Sequence, residues 1–168
     1  MILVLVTAAI VFAILISGIV KKVQHKRDSI EIIRTLPYFN LKRVNGNEFN
    51  SDEVRQGPLL IVFFHPECEH CRYEIDDLIT LFNNYGDLTS ILISHAPLRV
   101  IYEYVETTGL YDSDRLVILS DEELIARELF SIENVPTTLI YNRDLMLLRR
   151  FDGEVKSVAI SKCLDDID

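Results

Sequence analysis

The sequence predicts an α/β fold, a central mixed β-sheet flanked by helices, carried behind one N-terminal transmembrane helix. Three observations point there. Leu59 to Phe64 is an unbroken apolar run of β-branched and aromatic residues, the composition of a strand buried on both faces. Downstream, short apolar runs alternate with segments of helical periodicity, the pattern of strands joined by covering helices. Upstream, Ile2 to Val20 carries no charge, Pro or Asn. As a helix this run of about nineteen residues reaches roughly 28 Å, close to the hydrocarbon thickness of a bilayer.

That upstream segment is too long for a signal-peptide core and has no basic region before it, so an uncleaved anchor over 1–21 is the expectation. Residues 22–35 read as a charged tether, and 36–168 as the globular domain. Lys21, Lys22, Lys26 and Arg27 follow the span, which by the positive-inside rule would leave the domain in the cytoplasm. The cysteine chemistry below makes more sense on the oxidising side. The extracytoplasmic (periplasmic) side is the expectation.

In order, Pro37 to Leu41 is extended, because the residue before Pro37 is pushed out of the helical region. Asn45-Gly46 is a hairpin turn signal between two short strands. Ser51 to Val54 resembles a brief capped turn, and Gly57-Pro58 resets the chain into the buried strand. After Pro66 a helical pattern begins at once, with Cys71, Ile75, Leu78, Ile79 and Phe82 at three- and four-residue steps. Further strands are predicted at 88–94, 116–119, 139–141 and 145–151. Further helices are predicted at 97–107, 121–130 and 155–164.

Cys68-Glu69-His70-Cys71 stands where the buried strand hands over to that helix. Unpaired backbone N–H groups and the dipole at a helix N-terminus favour a thiolate, the nucleophilic form of cysteine. Residues three apart share a helix face with β-carbons roughly 5–6 Å apart, so a small adjustment brings Cys71 into disulfide range of Cys68. Cys68 would attack a partner disulfide and Cys71 would resolve the mixed disulfide. The same spacing is half of a zinc site, but no second Cys/His pair at matching spacing follows.

Phe63-Phe64-x-x-x-Cys68-x-x-Cys71 after a buried strand, with Val135-Pro136-Thr137-Thr138 about 65 residues later, resembles the thioredoxin superfamily. More narrowly it is similar to the membrane-anchored TlpA/ResA-like thiol–disulfide oxidoreductases and related redoxin domains. The likeness runs from about Leu36 to the C-terminus, with the hairpin before the buried strand and the anchor fitting the same group. It implies a thioredoxin-like fold, a cis Pro136 facing the cysteines to position substrate, and Glu74 as an acid that relays a proton to or from Cys71. By itself Glu74 reads equally well as an exposed carboxylate in the first turn of a helix.

Several positions depart from the pattern. Glu67 stands where Trp is usual, and no Trp occurs in the chain. The buried acid of thioredoxin, six positions before the first cysteine, is Val62. His70 before the second cysteine is similar to DsbA-type oxidases, while Glu67 and Glu69 disfavour a thiolate, so the direction of electron flow stays open. Cys163 lies on an apolar stripe with Val155 and Ala159 and is expected as a buried structural thiol. His65 and His95 both end strands near the presumed active edge, and one of them could join Cys68 and Cys71 as a copper ligand, as in Sco-like proteins. Those resemble Cys-x-x-x-Cys, a different spacing. A peroxiredoxin-like peroxide reductase is a further alternative, although the Pro-x-x-x-Thr-x-x-Cys pattern is absent.

Of 17 basic and 26 acidic residues, four basic (Lys21, Lys22, Lys26, Arg27) and one acidic (Asp28) precede residue 30, leaving 13 against 25, or −12, on the remainder. Such a surface does not bind nucleic acid. The expected partners are proteins offering a disulfide or dithiol, with a membrane or periplasmic electron donor. The chemistry needs no cofactor or metal, and a monomer is expected.

Overall fold

The structure, a computed structural model, describes residues 12, 16–18, 30–54 and 57–165, with backbone alone at 83 and 84. The expected span over 2–20 and most of the tether lie outside the described residues. Among the described residues no helix is long and apolar enough to cross a membrane. The chain divides into a unit ending at Ile32 and a second beginning at Ile33, and the second carries the fold.

Its elements in chain order are β1 (Asn40–Arg43), β2 (Glu48–Asn50), a 3-10 turn (Ser51–Glu53), β3 (Leu59–Phe64) and α1 (Glu69–Asn84). Then follow β4 (Thr89–Ser94), α2 (Leu98–Thr108), β5 (Leu116–Ser120), α3 (Ile125–Leu129), β6 (Thr137–Tyr141), β7 (Leu147–Asp152) and α4 (Ser157–Asp165). The strands form one mixed sheet in the order β2-β1-β5-β4-β3-β6-β7. β3, β4 and β5 run parallel, while β6 pairs antiparallel with both β3 and β7.

Alternation along β3 sets the layers, because successive strand side chains point to opposite faces. Leu60, Val62 and Phe64 pack with Ile75 and Leu78 of α1, Ile101 of α2 and Ile160 of α4. Leu59, Ile61 and Phe63 pack on the other face with Phe39, Phe49, Ala126 and Phe130. The Asn45-Gly46 signal does join β1 to β2, with Gly46 at φ +88° and Leu41 opposite Phe49.

Three expectations are corrected. Ile33 is fully buried and its carbonyl accepts from the Tyr141 hydroxyl at 3.0 Å. Leu147 N donates to Arg34 O and Leu36 N to Leu145 O, so positions 33–35 belong to the domain rather than to the tether. The helix expected over 121–130 shrinks to α3. Asp121 does not open it: that side chain is buried and its carboxylate accepts from Ala126 N at 3.0 Å and Arg127 N at 2.8 Å. Leu124 at φ +62° then breaks the helical register before Ile125. Cys163 is half-buried, packed against the edge of the core rather than enclosed by it.

Candidate active site

β3 ends at Phe64, and the chain turns through His65-Pro66-Glu67 into α1. Cys68 is the N-cap of α1, in extended conformation at φ −80° and ψ 114°. Its Sγ sits where an Asp or Ser oxygen would cap a helix and accepts the Cys71 backbone N–H at 3.2 Å. Across from it, the Val135–Pro136 peptide bond is cis, and the Cys68 thiol donates to the Val135 carbonyl at 3.9 Å. The fold thus brings Pro136 beside the first cysteine, from a sequence distance of 68 positions. Cys71, a turn further on, is fully buried. Burial, reinforced by its hydrogen bond with Cys68, pushes its thiol up to about 12. Both cysteines are free thiols.

Glu74 is not an exposed first-turn carboxylate: its relative exposure is 0 %. It lies one turn beyond Cys71 on the same helical face. One carboxylate oxygen takes a short hydrogen bond from the Thr138 hydroxyl, two residues past Pro136. The other accepts from Val155 N at 3.0 Å. Burial pushes Glu74 above the usual carboxylate range, against these two bonds, which pull it down.

The loop between β7 and α4 ties the parts together. Gly153 N donates to Pro136 O at 2.9 Å, and Val155 N reaches Glu74. The Glu154 carboxylate meets His70 Nδ1 and Lys156 Nζ, each at 2.8 Å. Nothing in the sequence signalled this loop. Thr138 did stand in the quoted Val-Pro-Thr-Thr motif, but its partner was not legible.

On the other side of Cys68 lies a groove of about 460 Å³ whose walls include His65, His95, Arg127 and Val135. The imidazoles stand with ring centroids 5.2 Å apart. Burial, with Arg127 and His65 nearby, holds His95 below its ordinary range. Arg127, which the sequence did not single out, reaches the groove from α3. Among the described residues no three His, Cys, Asp or Glu side chains gather as a metal site. His65 and His95 therefore do not complete the copper site considered above.

A mixed sheet of this order with helices on both faces, a Cys-x-x-Cys pair opening the helix after its central strand, and a cis-proline beside the first cysteine define a thioredoxin-like α/β fold. The chain belongs to the AhpC/TSA family, whose profile matches residues 32–150. No curated protein matches this sequence. Among solved structures, a secreted disulfide oxidoreductase of Mycobacterium tuberculosis has a TM-score of 0.68 at 16 % identity, over 81 % of this chain and 98 % of that one. A thiol:disulfide interchange protein of Chlorobium tepidum has a TM-score of 0.67 at 20 % identity, over 79 % and 94 %. The peroxidoxin BcpB of Mycobacterium tuberculosis has a TM-score of 0.63 at 20 % identity, over 79 % and 93 %. At such identities the likeness is one of fold.

Proposed function

We propose that this protein is a membrane-anchored thiol–disulfide oxidoreductase of the TlpA/ResA-like kind, its domain on the extracytoplasmic side. The observation that carries the reading is Cys68 Sγ at the N-cap of α1, beside the carbonyl that precedes Pro136. The Cys68 thiolate attacks one sulfur of a client disulfide, and the departing client thiolate takes up a proton. The Cys71 thiolate then attacks Cys68 Sγ and releases the second client thiol. Two electrons pass to the client and a Cys68–Cys71 disulfide remains, to be reduced by a dithiol donor. Burial pushes the Cys71 thiol well above its ordinary range, so at neutral pH it is protonated and resolution needs a base. Glu74, one turn further along the same face and raised by its burial, accepts that proton. Pro136 holds the extended client segment against the thiol.

The test is single-turnover reduction of a protein disulfide by the prereduced chain, with thiol trapping. Wild type is expected to return two client thiols per oxidised Cys68–Cys71 pair, and Cys68→Ser none. Exchange retained in Cys68→Ser overturns the mechanism. A second reading, reduction of peroxide, is favoured by the family and by the likeness to a peroxidoxin. There Cys68 would be oxidised to a sulfenic acid with release of water, and Cys71 would condense with it, releasing a second water. Peroxide consumption faster than disulfide exchange would select that reading.

A further inference from the structure

Two hydrogen bonds fix the tautomers of the imidazoles beside Cys68. A backbone N–H can only donate, so His65 Nδ1 accepts from Glu67 N at 3.2 Å and the ring proton stands on Nε2. A guanidinium has no acceptor, so His95 Nδ1 accepts from Arg127 Nη1 at 3.4 Å and its proton also stands on Nε2. Arg127 is held from a second side, donating through Nη2 to the Glu133 carbonyl at 3.0 Å. Neither Nε2–H finds an acceptor among the described residues. Two imidazoles, each with its proton on Nε2, and a fixed guanidinium therefore line one groove with the nucleophile, and none of the three has an acceptor left to offer.

A set of donors without an acceptor fits an oxyanion. We propose that this groove binds a carboxylate side chain next to the client's cysteine, so that the protein prefers disulfides flanked by Asp or Glu. This rests on the thiol-exchange reading above. The client source follows from Val135, which lines the same groove: an extended segment beside it carries its neighbouring side chain toward the donors. Glu67 and Glu133 bring exposed carboxylates to the same rim, and neither carboxylate takes these donors. They and the net charge of −9 oppose an acidic client, so the preference runs against the molecule's bulk electrostatics. That opposition makes it measurable.

The experiment uses the full-length reduced protein in detergent at physiological salt. Its substrates are three C-terminally amidated peptides with one internal disulfide, differing only in Asp, Asn or Lys after the first cysteine. A charge-assisted hydrogen bond, weakened by partial exposure, corresponds to about three- to tenfold. The Asp peptide is expected to react that much faster than the Asn peptide, and the Asp/Asn ratio to fall to about one in Arg127→Gln and in His95→Phe. A wild-type ratio at or below one, with Lys fastest, overturns the inference alone. Failure of all three peptides to be reduced overturns the exchange reading and the inference with it.

Discussion

Glu74 is the residue whose placement constrains the chemistry most. A carboxyl raised on folding contributes stability that is fully present below its unfolded value of 4.5 and lost as the pH rises through the folded one. Gln at this position can still accept from Val155 N and offer its amide to Thr138. Glu74→Gln is therefore expected to match wild type near pH 4 and to gain in thermal midpoint progressively above it. A difference that does not change with pH would remove the buried ionisable role. The same variant should slow resolution of the mixed disulfide at pH 7 by about 10²-fold, while Cys71→Ser should accumulate mixed disulfides with clients. Tyr104 offers a contrasting case. It is 7 % exposed, its ring lies 5.6 Å from Phe64, and its hydroxyl has no partner among the described residues. Deleting an unsatisfied hydroxyl removes a desolvation cost, so Tyr104→Phe should leave the unfolding midpoint unchanged or higher. The placement of Cys68 and Cys71 at the start of α1 was legible because the buried strand, Pro66 and the helical repeat adjoin in the sequence. The fate of Glu74 was not, since the groups that cover and bind it, Thr138 and Val155, are 64 and 81 positions away.

Elements were legible where one periodicity dominated. β3 and α1 lie where an apolar run and a three- to four-residue repeat put them, because tertiary contacts reinforce both patterns. The segment after β5 was misread, since acidic residues such as Asp121 and Glu122 imitate a helix first turn while Asp121 is in fact buried as a backbone acceptor. Joints between elements show how specific the fit is. Gly57 has φ +155°, and a Cβ there would lie 2.8 Å from the Asp87 carbonyl oxygen. Gly57→Ala should destabilise by about 1–3 kcal/mol in denaturant unfolding, because the loop entering β3 must move away from the loop entering β4. Asp77 on α1 accepts from Ser157 N at 2.6 Å and so caps α4 from a neighbouring helix. Asp77→Ala should cost about 1 kcal/mol, with α4 losing amide-exchange protection first. Equal protection in both proteins would show the cap to be dispensable.

At the scale of the whole molecule, charge decides which partners approach fastest. The charge of −12 on the residues beyond 30 makes encounter with basic clients faster than with acidic ones at low salt. The proposed placement outside the cytoplasm has a direct test: a membrane-impermeant thiol reagent should label Cys68 in intact cells after reduction. Labelling only after lysis would reverse the orientation, as the lysines and arginine after residue 20 would have it.

The register of β6 has a mechanical consequence. Thr137 pairs with Phe63 beside the cysteines, and Tyr141 pairs with Leu59 at the opposite end of β3. The chain enters the domain along the turn that follows Tyr141, where Thr35 bridges Met146. Entry point and dithiol thus occupy opposite poles, separated by the length of a strand. A client bound at the dithiol therefore lies a strand's length from Thr35 and leaves the entry pole uncovered.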